Sequence, residues 1–143
     1  MPNAWTLSDA WVFAAIAYVA DTGVVGEQTL SDVITYADMI NHAIPSEDEF
    51  VQAIGRLTAT GIVSVSADRA RYWPTPAGLE LRRRWRHSLF GWDVLLPGLR
   101  KLGAAPDAGW SLPVGAYAQA VREHEKRFSD AFRRLYRREG HPK

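Results

Sequence analysis

The chain has 143 residues, of which 47% are hydrophobic and 23% charged, values typical of one compact globular domain or one domain with an appendage. It contains no cysteine, which excludes disulfides, thiolate zinc sites and cysteine nucleophiles, and its longest apolar run, residues 10–20, is too short to cross a bilayer. We therefore expect a cytoplasmic protein with no membrane association. The net charge of +1 hides an asymmetry, because residues 1–55 carry eight acidic side chains and no lysine or arginine, whereas all 17 basic residues follow.

This separation of charge has two interpretations, and the sequence leaves both open. It is typical of proteins that present a surface to a polyanion or to an acidic partner. An arginine-rich composition spread over solvent-exposed helix faces produces the same asymmetry.

Two helices are predicted in the acidic half of the chain. Thr6 and Asp9 are spaced so that their side chains can satisfy free amides of a first helical turn. The continuation, residues 11–20, is apolar on every side, which is typical of a helix buried between other elements or across a subunit interface. Residues 29–42 place apolar side chains at helical spacing on one stripe, which predicts a second, amphipathic helix.

Ser46 and Glu49 form the strongest helix-start signal, an S-x-x-E capping box just before an apolar repeat. The third helix is predicted to run to about residue 60, and Gly61 is placed to end it in a left-handed conformation. At 100° per residue, the buried side contains Phe50, Ile54 and Leu57. We expect the opposite side to project from the molecule with Asp48, Gln52, Gly55, Arg56 and Ala59.

Residues 62–66 alternate apolar and polar side chains, and residues 69–73 match them across a turn at Ala67 and Asp68, which predicts a β-hairpin. Three helices followed by a hairpin, with a short connection between helices two and three, predict a winged helix-turn-helix. The expected fold class is therefore mainly α with a small β-hairpin, followed by C-terminal helices.

Two segments carry a resemblance to a known class of proteins. They are the run Phe50-x-x-x-Ile54-x-x-Leu57-x-x-x-Gly61-Ile62-Val63 and the later run Arg71-Tyr-Trp-Pro-Thr-Pro-Ala-Gly78. Together they resemble the winged-helix regulators of the MarR and PadR kind over about residues 6–88. The resemblance implies a transcriptional regulator whose third helix enters the major groove of duplex DNA, whose wing contacts the adjacent backbone, and which works as a homodimer.

Applied to this sequence, the resemblance implies a DNA-binding surface on the third helix and the wing. Gln52 is then suited to adenine and Arg56 to guanine. The positions expected to contact DNA are Ser46, Gln52, Arg56, Arg69 and Arg71.

The acidic residues at the start of the third helix support an alternative function. Glu47, Asp48 and Glu49 lie where a DNA-binding helix would meet phosphates, and carboxylates there weaken binding. The alternative is a protein-interaction or assembly module that does not bind DNA and docks on a basic protein partner through these three residues. The aromatic residues at positions 85, 90, 92 and 110 either belong to the core or line a pocket for an apolar effector.

The basic half is predicted to be helical apart from an irregular loop at residues 103–113. A fourth helix is expected over residues 79–89 and a last helix over residues 114–138, which carries a short heptad-like seam. The seam either packs on its own domain or pairs with a second subunit. We divide the chain into a winged-helix domain, residues 1–88, and a helical extension, residues 89–143. We expect two copies of the chain to form a homodimer through the first helix and the extension. The expected dimer contacts are Trp11, Tyr117, Val121, Phe128 and Leu135.

No catalytic constellation is recognisable. The four histidines lack metal-ligand spacing, and Phe128 stands where a zincin motif beginning at His124 needs its second histidine. There is no phosphate-binding glycine loop and no nucleophile elbow. We therefore expect neither an enzyme nor a cofactor or metal.

Overall fold

The computed structural model describes residues 4–21, 26–85, 91–107 and 109–138. This part of the chain is mainly helical with one small antiparallel sheet. The prediction of a mainly α fold with a small β element is therefore confirmed. The elements in chain order are α1 (Leu7–Asp21), β1 (Gln28–Thr29), α2 (Leu30–Asn41), α3 (Glu47–Ala59), β2 (Val63–Val65), β3 (Arg71–Pro74), α4 (Pro76–Trp85), a 3-10 turn (Trp92–Val94), α5 (Leu95–Arg100) and α6 (Ala116–Arg138).

The first three helices each begin with a capping box. In a capping box, two residues three positions apart each accept, through the side chain, a hydrogen bond from the backbone N–H of the other. At α1, the N–H of Asp9 donates to Oγ1 of Thr6 (3.2 Å) and the N–H of Thr6 donates to Oδ2 of Asp9 (2.9 Å). The predicted starts of α1 and α3 are therefore confirmed. The same exchange begins α2 and α3, between Thr29 and Asp32 and between Ser46 and Glu49.

The helix α1 lies at the centre of the fold and contacts α2, α3, α5 and the 3-10 turn. Trp11 is buried, and its indole N–H donates to the backbone oxygen of Ala37 at 2.9 Å. The expected role of Trp11 in dimerisation does not hold, because α5 and the 3-10 turn cover further sides of α1 within the same chain. The all-round apolar pattern of this helix reflects intramolecular burial.

The predicted hairpin is confirmed, and the sheet contains a third strand that the sequence analysis missed. β2 and β3 pair in antiparallel register with Ser64 opposite Trp73, and β1 pairs with the other side of β3, so the strand order is β1-β3-β2. β1 has only two residues, Gln28 and Thr29, which is too short for an alternating pattern. It places Thr29, the first residue of the α2 capping box, directly against Arg71 of β3.

The turn between α3 and β2 is confirmed, since Gly61 has φ +78° in the left-handed region. α4 begins at Pro76, three residues before the predicted start, because Oγ1 of Thr75 accepts the N–H of Gly78 (3.1 Å) and so caps an earlier first turn. The predicted end of this helix and the domain boundary at residue 88 fall in residues 86–90, outside the described residues.

The C-terminal helix α6 crosses α2 and continues beyond it. Its contacts run from Tyr117, whose hydroxyl donates to the backbone oxygen of Pro45, to Arg127 at the start of α2, so the two helices are antiparallel. The predicted loop is confirmed as irregular in its described residues, 103–107 and 109–113. No helix in the described ranges combines the length and the hydrophobicity that a membrane span requires.

Candidate functional site

The N-terminal end of α3 presents acidic side chains to solvent. Glu47 and Asp48 are exposed, as are Ser46 and, one turn further along, Gln52. Glu49 is half-buried, because its side chain accepts the Ser46 N–H and the hydroxyl of Ser8 on α1. The bond from Ser8, and then that from Ser46, holds the pKa of Glu49 below its usual range. Glu49 therefore joins α3 to α1 through a hydrogen bond. The acidic residues that remain exposed to a partner are Glu47 and Asp48.

Arg56 lies in a different place from the one predicted. Its side chain is buried, and Nη1 donates to Oδ2 of Asp9 (2.9 Å) and to the backbone oxygen of Ala4 (3.2 Å). The expectation that Arg56 projects toward DNA is wrong, because α1 packs on that side of α3 and brings Asp9 with it. The carboxylate of Asp9, 1% exposed, needs a cation, and one of its oxygens, Oδ1, has no hydrogen-bond partner.

The two arginines of the hairpin have different surroundings. Arg71, the first residue of β3, is exposed. Arg69 lies in the turn with φ +61°, its guanidinium 5.9 Å from the ring centre of Trp110, and Nη1 donates to the backbone and hydroxyl oxygens of Ser111 (2.8 and 3.0 Å). The loop at residues 103–113 is thereby held against the hairpin. Arg71 remains available for a partner, whereas Arg69 is partly committed within the chain.

Part of the charge asymmetry seen in the sequence is used in contacts between the acidic α2 and the basic α6. His124 of α6 is buried between Oγ1 of Thr35 and Oδ2 of Asp38, with 2.9 Å to each. One turn later, Arg127 donates to Oδ1 of Asp32 (3.1 Å). The acidic side of α2 is therefore the docking surface for the basic helix α6. The sequence signal was present, since His124 and Arg127 are one helical turn apart, but their partners lie about 90 residues away in the chain.

The predicted dimer contacts separate into two groups. Tyr117 is buried and Val121 is half-buried in the chain's own fold, so Tyr117 is not available to a second subunit. Phe128 and Leu135 are 64% and 57% exposed, and Phe132, which the sequence analysis did not single out, is 61% exposed. These three side chains lie at spacings of four and three residues and form one apolar stripe on the second half of α6.

Three of the aromatic residues considered for an effector pocket, Trp85, Trp92 and Trp110, are half-buried and pack against the core. The ring centres of Trp92 and Trp11 are 6.2 Å apart, and Trp110 lies 6.3 Å from both Phe50 and Tyr72. Position 90 lies outside the described residues. Within the described ranges, no group of three or more acidic or histidine side chains is arranged to hold a metal ion.

The chain was compared with known protein families, with curated proteins and with solved structures, and none of them matches it.

Proposed function

We propose that residues 7–74 form a winged helix-turn-helix. The element order, α1, β1, α2, α3 and then the β2–β3 hairpin, supports this, as does the strand order β1-β3-β2. Residues 42–46 provide a short connection between α2 and α3. In such folds the third helix and the hairpin form the surface that meets a partner.

We further propose that this surface binds a basic protein and not duplex DNA. The observation that carries the proposal is the charge of α3. Its exposed side chains are Glu47, Asp48, Gln52 and Ala59, and none of them is cationic, since Arg56 is buried on Asp9.

The physical reason lies in how proteins bind nucleic acid. Most of the affinity comes from lysine and arginine side chains that displace counterions from phosphates. A third helix without an exposed cation makes no such contribution, and Glu47 and Asp48 repel phosphates. The same two carboxylates attract a partner that presents lysine or arginine, and such charge complementarity raises the association rate and excludes unsuitable partners.

A DNA-binding transcriptional regulator is the second candidate function. It is favoured by the exposed side chain of Arg71 beside the hairpin turn, where a wing contacts the DNA backbone. Ser46 and Gln52 are exposed and remain suited to polar contacts with DNA. This candidate requires the hairpin and the basic second half of the chain to supply all of the phosphate contacts.

Fluorescence anisotropy with a labelled random-sequence DNA duplex, across a salt series, separates the two candidates. For the protein-binding module we expect negligible affinity, and replacing Glu47 and Asp48 together by glutamine leaves it negligible. A regulator instead shows affinity with a steep salt dependence, which tightens in the double glutamine variant and weakens in Arg71→Ala. That second pattern would overturn the proposal.

Capture from a cell lysate tests the protein partner directly. Proteins retained by the wild-type chain are compared with those retained by Glu47→Gln with Asp48→Gln. The matched control is Glu123→Gln with Glu125→Gln, which removes two exposed carboxylates from α6. We expect a basic protein to be retained by the wild type and the control and lost by the α3 variant. Identical sets for all three chains would contradict the proposal.

We also propose that the chain forms a homodimer through the second half of α6. This helix has 23 residues, and in the described part of the chain the last of its hydrogen bonds to α2 comes from Arg127. The 11 residues that follow extend over about 16 Å. The apolar stripe of Phe128, Phe132 and Leu135 lies on the same side as α2, in line with Tyr117 and His124. Because α2 lies on that side, it keeps a partner with a broad, flat surface from reaching the stripe. A helix from a second copy of the chain is narrow enough to pack against the stripe.

Static light scattering tests the dimer, with an expected mass near twice 16.0 kDa. Phe132→Asp places a charge in the stripe and should produce the monomer mass. Ser129→Asp is the matched control, since Ser129 is exposed on the same helix outside the stripe, and it should leave the mass unchanged. A wild-type monomer at micromolar concentration would refute the dimer.

A further inference from the structure

The two halves of α6 use the same side of the helix for different contacts. In the first half, Tyr117 and His124 are buried within the chain's own fold, and His124 contacts Asp38 of α2. In the second half, Phe128 and Leu135 remain exposed. At 100° per residue, these four side chains of α6 lie within about 40° of one another around the helix. One side of α6 is therefore covered by α2 in its first half and open in its second half.

The open part of this side is long enough for one short helix contact. In the described part of the chain, the last hydrogen bond from α6 to α2 runs from Arg127 to the hydroxyl of Ser31 (3.0 Å), and 11 residues of α6 follow it. They contain the eight residues from Phe128 to Leu135. A helix packed on this segment lies roughly 8–10 Å from the axis of α6, the usual separation of packed helices. It therefore lies on the side of α6 that α2 covers in the first half.

The position of α2 excludes a parallel pair of α6 helices. In a parallel pair, the first half of the second copy's helix runs alongside the first half of α6. α2 already occupies that place, held by the contacts of His124 with Asp38 (2.9 Å) and of Arg127 with Asp32 (3.1 Å). Two helices, each about 10 Å across, cannot fill the same volume. In a symmetric pair the α2 of the second copy meets the same obstacle.

We propose that two copies of the chain pair their α6 helices in antiparallel orientation over residues 128–138. This inference rests on the homodimer of the proposed function and adds its geometry. Phe128 of one copy then lies beside Leu135 of the other, and the first half of the second helix extends past the end of α6, away from α2. The C-terminal end of the second helix points toward the start of α2, so that opposite ends of two helix dipoles face each other.

The antiparallel pairing also sets the distance between the two acidic ends of α3. Each of them lies next to the start of α6, because the hydroxyl of Tyr117 donates to the backbone oxygen of Pro45, just before α3. With Phe128 beside Leu135 of the other copy, the two copies of Tyr117 are separated by about 29 residues of helix, or about 44 Å. The two acidic sites therefore lie at opposite ends of the pair, and we expect one dimer to bind two molecules of a basic protein.

Pulsed electron paramagnetic resonance between spin labels tests the orientation. The chain has no cysteine, so one cysteine introduced on α6 carries a single label in each copy. Ala118 and Ser129 are exposed and lie outside the apolar stripe, so Ala118→Cys and Ser129→Cys leave the stripe intact. In the antiparallel pair we expect about 40 Å between labels at position 118 and less than about 25 Å at position 129. A parallel pair gives less than about 25 Å at both positions.

Light scattering of the labelled chains separates this inference from the homodimer itself. A dimer with the short distance at position 118 would overturn the antiparallel pairing and leave the homodimer standing. A dimer with a long distance at position 129 would place the contact elsewhere on the chain and also overturn the pairing, and monomers at micromolar concentration would overturn both proposals. Adding Phe132→Asp to the Ala118→Cys chain should abolish the long distance. If that distance persists, the stripe is not the contact and the inference fails.

Discussion

The buried ion pair between Asp9 and Arg56 leads to a prediction about stability that also tests where Arg56 lies. Replacing Arg56 by methionine keeps much of the side-chain volume and removes the charge. Asp9 then remains in the core with no cation, and one of its oxygens already lacks a partner. Leaving one member of such a pair unpaired is strongly destabilising.

The expected loss follows from the geometry. Two unit charges 2.9 Å apart attract by about 6 kcal/mol at an effective dielectric constant of about 20. Part of that attraction offsets the cost of burying both groups, so we expect Arg56→Met to lower the free energy of unfolding by about 3–5 kcal/mol. This is a large share of the roughly 5–15 kcal/mol that stabilises a typical domain.

Urea denaturation followed by circular dichroism measures this loss. At a slope of roughly 2 kcal/mol per molar urea, the midpoint should fall by about 2 M. The control is Arg71→Met, an exposed arginine of the hairpin, which should change the free energy of unfolding by less than about 0.5 kcal/mol. Asp9→Asn combined with Arg56→Met should recover part of the loss, since no charge is then left buried. If Arg56→Met behaves like Arg71→Met, Arg56 is exposed and the argument against DNA binding by α3 fails.

Two further predictions concern contacts that hold α3 and the hairpin in place. Removing the hydroxyl in Ser8→Ala should raise the pKa of Glu49 toward its ordinary value, measured by NMR titration. Because the folded pKa of Glu49 is lowered, its contribution to stability is present above the unfolded value and is lost as the pH falls from there through the folded pKa. An unchanged titration in Ser8→Ala would contradict this bond. In Gly78→Ala, the new Cβ would lie 2.1 Å from the backbone oxygen of Ile62, so we expect a loss of roughly 1–3 kcal/mol in urea denaturation. Gly109→Ala, with nothing within 4 Å of its Cβ, is the control that should remain near wild type.

Local signals in the sequence were sufficient to predict most of the elements. Helix starts depend on residues three apart, such as Ser46 and Glu49, and the end of α3 depends on Gly61 alone. The hairpin was predictable because its two strands are neighbours in the chain. β1 was not, since its two residues form a strand only by pairing with Tyr72 and Arg71, more than 40 residues later.

The spacing of apolar residues does not by itself determine which sides of a helix are buried in the folded chain. A helical pattern specifies which residues share a side of α3, but α1 decides that the side with Arg56 is covered. The same holds for the acidic side of α2, which α6 occupies through His124 and Arg127. Part of the charge asymmetry is therefore explained by intramolecular ion pairs, which only the packing of distant elements could show.

The sequence by itself determined where the helices begin, that the chain has a core and that its charges are separated, because each of these depends on composition or on residues close together in the chain. Only the tertiary structure decided which charges are paired within the fold and which part of the α6 seam stays exposed. The physical reason is that solvent exposure is a property of the whole packing. A charged side chain such as Arg56 can be buried and an apolar one such as Phe128 exposed, according to which distant element lies against it.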